Sequence, residues 1–214
     1  MLQTLGPTRR HLLKALLARK AGLSADELAQ RLNITRTAVR QHVAALEGQG
    51  YLRRIRTAST GGRPGQKYAL TEPGHGLFPK QYSFFSEALL DTLRAEKGEA
   101  GLRRWLRKLG RQTARALPGN TAAKPVKVRI QHTAALLNQL AYEATAANAG
   151  GKPVIEATNC VYHNLAATNR AVCQFDIGLL ETLTGMKVEQ QSCIQDGHNT
   201  CRFCLHERKA ASLE

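Results

Sequence analysis

Two helix starts only eleven positions apart constrain this chain more than any other feature of its sequence. Ser24 is followed three residues later by Glu27, the capping-box spacing in which each side chain satisfies an otherwise orphaned backbone N–H. That box opens a short helix carrying Leu28 and Leu32. After Asn33-Ile34, Thr35 stands as the N-cap of a further helix to about Gly48, on which Val39, Val43 and Leu46 form one stripe. Upstream, Leu12, Leu13, Leu16 and Leu17 keep helical spacing over about 8–21, and the pattern stops at Gly22. Three short helices in succession are expected.

The segment that follows changes period. Tyr51 to Arg56 reads as a strand, Ser59 to Gly65 as a turn cluster and Lys67 to Leu70 as the returning strand, a β-hairpin with Arg63 at its tip. On the third helix, Arg36, Thr37, Arg40 and Gln41 fall on a face turned away from the apolar stripe. Arg and Gln can pair with base edges in a major groove, and Thr at a helix start suits phosphate. Arg63, between glycines and a proline, suits a minor groove or a phosphate clamp.

Charge separates the two halves of the chain. The whole carries a net +15 with pI near 10.1. Residues 1–119 hold 22 Lys and Arg against 8 Asp and Glu, a net +14, whereas the remainder holds 9 against 8. The first half is built for a polyanion. No stretch is long and apolar enough for a membrane span, and the start lacks the pattern of an export signal, so the expected compartment is the cytoplasm.

Ser24-Ala25-Asp26-Glu27-Leu28-Ala29, Thr35 to His42 and Gly62-Arg63-Pro64 resemble winged helix-turn-helix bacterial regulators with an ArsR/DeoR-type DNA-binding domain, over about residues 8–72. The resemblance implies a recognition helix in the major groove of a double-stranded DNA operator and a wing beside it. From Tyr82 to Leu117, apolar residues at helical spacing interrupted by Gly98 and Gly101 read as two helices with a joint. This stripe either packs on its own chain or forms the interface of a homodimer. A dimer would place two recognition helices about 34 Å apart, one DNA turn. The run Arg103, Arg104, Arg107, Lys108, Arg111 and Arg115 is either a solvated face or a contact to DNA flanks.

All five cysteines lie in the nearly neutral half. Val126 to Ile130 is a strand candidate, about 133–147 a helix closed by Asn148-Ala149-Gly150-Gly151, and Pro153 to Ala157 a strand leading to Cys160. Phe175 to Thr184 reads as a helix, and Lys187 to Ile194 pairs with Cys201 to His206 as a hairpin. The cysteine spacings, 12, 19, 7 and 2 intervening residues, fit neither paired zinc knuckles nor the close ferredoxin run. Thiolates nonetheless favour iron–sulfur clusters and zinc.

The segments around Cys160, Cys173, Thr182-Leu183-Thr184-Gly185 and Cys193 to Cys201 resemble the sensor half of SufR-type regulators. That family implies a dimeric, cluster-binding repressor of iron–sulfur biogenesis operons, with 4Fe–4S preferred over 2Fe–2S. The third cysteine departs from the cyanobacterial spacing, which leaves the fourth ligand open. In a regular strand Cys201 and Cys204 point to opposite faces, whereas Cys193 and Cys201 can meet across a hairpin mouth. The ligand set is therefore read as Cys160, Cys173, Cys193 and Cys201, with Cys204 or His163 as alternates and His198 as a further imidazole. A zinc site with the same DNA domain, or a small-ligand sensor domain, are the competing readings. No Cys, His and acid arrangement at a family spacing supports an enzyme. The expected architecture is α+β: a winged helix-turn-helix domain over 1–80, a helical dimerisation linker over 81–119 and a mixed α+β iron–sulfur sensor domain over 120–214.

Overall fold

Residues 2–57, 65–118 and 124–207 are described by a computed structural model, and they divide into two units, Met1–Gln81 and Tyr82–Glu214. The first begins with α1 (Pro7–Leu17), its proline at the start where a missing N–H costs nothing. It stops four residues short of the expected end. Gly22 instead turns the chain at φ +77, where a Cβ would lie 2.6 Å from the Tyr68 carbonyl oxygen. The two-residue strand β1 (Leu23–Ser24) was not foreseen; it pairs with β3 (Gly65–Leu70), which pairs with β2 (Leu52–Thr57).

The capping box is present as expected. The Ser24 N–H donates to Glu27 at 2.7 Å and the Glu27 N–H to Ser24 Oγ at 3.2 Å, opening α2 (Ala25–Leu32). Asn33 ends that helix in the left-handed region, and Thr35 Oγ1 accepts the Ala38 N–H to start α3 (Arg36–Gly48). Leu12, Leu13, Leu16, Leu28, Val39, Val43 and Leu46 then share one core with Leu52 and Leu70 of the hairpin. A short α4 (Glu72–Gly76), capped by Thr71, follows. The hairpin tip, including Arg63, lies outside the described residues.

The second unit opens with α5 (Tyr82–Ala116), broken at Gly98 by φ 65 and ψ 169. The expected joint is there; Gly101 stays helical. The half after the break packs on α8 (Cys173–Thr184) through two glycines. A Cβ on Gly110 would come 2.0 Å from the Phe175 carbonyl oxygen, and one on Gly178 would come 2.1 Å from that of Arg107. The two backbones touch, and no side chain fits between them.

Two expectations for this unit fail. Val126 to Ile130 is not a strand but the start of α6 (Val126–Gln139). The alternating β-branched residues mimic a strand, yet Ile130, Ala134 and Leu137 are the buried positions, a helical spacing, while Val128 is exposed. The helix also does not reach 147. Ala141 and Glu143 take positive φ, and the alanine-rich Ala144–Ala149 is the edge strand β4, paired with β5 (Lys152–Ala157) across Gly150-Gly151 at φ 59 and 80. Both glycines suit a type I′ turn. Helix propensity loses to pairing with β5 and to Asn138, whose side chain accepts the Ala144 N–H and donates to its carbonyl.

After α7 (His163–Thr168) and α8, β6 (Lys187–Ser192) and β7 (Cys201–His206) complete an antiparallel sheet in the order β4-β5-β7-β6. Its inner face, with Ile155, Ala157, Phe203 and Leu205, packs on α6 and α8. The fold is mixed α+β throughout.

Candidate functional site

On α3 the buried Val39, Val43 and Leu46 fix which face looks outward, and Arg36, Thr37, Arg40 and Gln41 are all exposed on it. Arg36 is not free: its Nε pairs with Asp26 on α2 at 3.1 Å. On β2, Arg53 and Arg56 are exposed, whereas Arg54 is held by Glu47 of α3 through two bonds of 2.7 and 2.9 Å. Arg54 thus ties the hairpin to the helix and is not a free cation.

The cysteines come from four places: the turn after β5, the first residue of α8, the residue after β6 and the first residue of β7. Cys193 stands at the centre. Its Sγ is 4.0 Å from that of Cys201, and it acts electrostatically on the Cys173 thiol. Cys160 is within electrostatic range of both Cys193 and Cys201. Cys204 is buried and, three residues along the same strand, points to the opposite face of β7 from Cys201. His163 is exposed and bonds the Gln195 amide at 2.9 Å, and His198 is exposed in the β6–β7 connection. Among the described residues, no three His, Cys, Asp or Glu side chains are already close enough to hold a single metal ion.

The surroundings of these thiols include residues that the sequence reading missed. Arg170 Nη1 lies 3.3 Å from Cys193 Sγ, and the Ile194 N–H points at Cys201 Sγ at 3.4 Å. Both stabilise negative sulfur. Against them, burial pushes Cys173 up to about 12, reinforced by Cys193 and Asp176 and opposed by Arg170. Burial likewise pushes Cys201 up to about 12 and raises Cys160. Beneath them, Asp176 is raised to about 7 by burial, although the Tyr142 hydroxyl donates to it at 2.6 Å. The rings of Tyr142, Tyr162 and Phe175 meet edge to face beside it. A basic residue three positions before Cys173 was the one readable signal for Arg170.

Residues 8–65 match the family described as "HTH domain". The chain carries a winged helix-turn-helix DNA-binding domain. Among solved structures, it is similar to a possible transcriptional regulator from Methanosarcina mazei Go1, at 18% identity over 44% of this chain and 81% of that one, with a TM-score of 0.31. It is also similar to a mutant of S. aureus MepR, at 25% identity over 50% and 82%, with a TM-score of 0.33. No curated protein matches the sequence. The domain match spans α1 to the start of β3, so α3 and its exposed face lie inside the matched segment. Among the described residues no helix is long and apolar enough to cross a membrane.

Proposed function

We propose that this chain is a transcriptional regulator that grips operator DNA through α3 and the β2–β3 wing, and binds an iron–sulfur cluster through Cys160, Cys173, Cys193 and Cys201. Cluster occupancy sets operator affinity. The observation that carries the reading is the approach of the Cys193 and Cys201 sulfurs to 4.0 Å, with Cys160 and Cys173 near enough to interact electrostatically with that pair. An all-sulfur donor set favours iron–sulfur clusters or zinc over oxygen-preferring ions.

When bound, the cluster supplies a link among the four segments that responds to iron supply and to oxidants. The chain's own residues set the terms of that link. Cys173 and Cys201 hold their protons in the cluster-free state, so loading releases protons and tightens as pH rises. Arg170 offsets the negative charge at Cys193. Without the cluster the β5–α7 turn, the start of α8 and the β6–β7 connection lose their common tie. A coupling of about 2–3 kcal/mol to the DNA-binding unit suffices for a switch.

The operator partner is read as a palindrome bound by a homodimer. Supporting this, Tyr82, Phe84, Phe85 and Leu89 on the first half of α5 remain 46–74% exposed, an apolar surface that a second copy would cover. The resemblance to SufR-type regulators makes the action repression and the targets genes of cluster assembly. Anaerobic reconstitution with iron and sulfide, followed by absorbance and a DNA gel shift, tests the reading. Brown protein with tighter binding supports it; equal binding with and without cluster overturns the switch. Arg40→Ala is expected to cost about 1–3 kcal/mol of operator binding and less of nonspecific binding.

A second reading has one observation in its favour. The 4.0 Å between Cys193 and Cys201 sulfurs is close to the spacing two thiolates need when each sits about 2.3 Å from a tetrahedral zinc. A colourless protein carrying one zinc per chain would select it.

A further inference from the structure

The second half of α5 carries six cations, Arg103, Arg104, Arg107, Lys108, Arg111 and Arg115, and no acidic residue after Glu99. Their roles divide. Arg107 and Arg111 point inward enough to hold Glu181 of α8, which is 5% exposed. Burial works against the charge of Glu181, but the two guanidiniums outweigh it and keep its pKa below the ordinary range. Arg103, Arg104, Lys108 and Arg115 are exposed and belong to none of the ion pairs that α5 forms among the described residues.

At 100° per residue, Arg104, Lys108, Arg111 and Arg115 lie within a single narrow stripe. Arg104 to Arg115 spans about 16 Å of helix, the axial length of about five phosphates of one DNA strand. The apolar side chains of this half face the other way: Leu102 and Leu106 are buried with Ala171 and Val172. Orientation is therefore fixed by the core and the cationic stripe is presented as a rigid row. Self-repulsion of unpaired like charges is a cost that a structural role does not need, since the inward pair already secures the α5–α8 contact.

We propose that the Arg104, Lys108 and Arg115 stripe of α5 is a second DNA contact, binding the phosphate backbone without reading bases. The inference rests on the DNA-binding reading of the first unit and adds a sequence-independent contact from the second. Its signature is electrostatic. Each phosphate neutralised contributes about −0.9 to the slope of log K against log salt.

The test uses the full chain and a 50-base-pair duplex of arbitrary sequence, titrated between about 50 and 200 mM salt. Arg104→Ala/Lys108→Ala/Arg115→Ala is expected to make the slope shallower by about 2–3. A control, Lys124→Ala/Lys127→Ala/Lys152→Ala, removes the same charge from exposed positions elsewhere in the unit and is expected to leave the slope within one. Arg104→Lys/Arg115→Lys keeps the charge and should restore the wild-type slope, which a packing role for arginine would not allow. An unchanged slope in the stripe variant, or equal changes in stripe and control, overturns the proposal. If Arg40→Ala still weakens binding in that case, the α3 reading survives; a wild-type chain that does not bind the duplex overturns both.

Discussion

In the first unit, the backbone groups that open α2, α3 and α4 sit within three positions of the side chains that satisfy them: Ser24 with Glu27, Thr35 with Ala38, Thr71 with Gly74. In the second, the decisive contacts cross long stretches of chain. Arg107 meets Glu181 74 residues away, Gly110 meets the backbone of Phe175, and Arg170 reaches the Cys193 sulfur 23 residues away. A region organised by neighbours in sequence keeps its shape as a unit. A region organised by distant segments has a shape that depends on whatever holds them, which suits it to sensing.

The largest expected effect lies at the helix crossing. Gly178→Val places atoms into the Arg107 backbone, and the second unit should lose about 3 kcal/mol or more, read by denaturation followed through Trp105, the sole tryptophan. The helices of the first unit should keep their circular dichroism. Joint loss of both would end the contrast between the units.

Next, Cys173→Ser should reduce retained iron by about tenfold or more after reconstitution, and Cys204→Ser should leave it near wild type, because Cys204 points to the opposite face of β7 from Cys201. The reverse order would reassign the ligands. A subtler effect concerns Glu181. Its folded pKa is depressed, so its charge stabilises the second unit fully above the ordinary carboxylate range and that contribution is lost as pH falls through and below about 4.5. The stability gap between wild type and Glu181→Gln should therefore shrink between pH 6 and about 3.5, as followed by urea titration. The smallest effect is local: Ser24→Ala should cost about 1 kcal/mol in the first unit and nothing measurable in iron retention.

Legibility followed the same division. Ser24, Glu27 and Thr35 announced two helices correctly because caps act within one turn, and Leu12, Val39 and Leu46 announced their buried faces by spacing. The wing strands were readable, though the two-residue β1 was not, since it exists only where β3 passes it. In the second unit, Gly98 was recognised as a joint, but Val126 to Ile130 and Ala144 to Ala149 were both misread. Alternating valines suit a strand and alanines suit a helix; each was overruled by a surface to pack against. Nothing local in the sequence shows that Asp26 takes up Arg36 or that Glu47 takes up Arg54.

By itself the sequence determined a basic, capped, three-helix segment with a hairpin, and a cysteine-rich remainder. Caps, periodicity and charge are properties of residues a turn apart, so they survive without knowledge of the rest. Only the tertiary structure decided which thiols meet, which arginines stay exposed and where α5 presses on α8. Those outcomes depend on closing loops of tens of residues, and the free energy of closure is settled by the packing at the far end rather than by the residues in between.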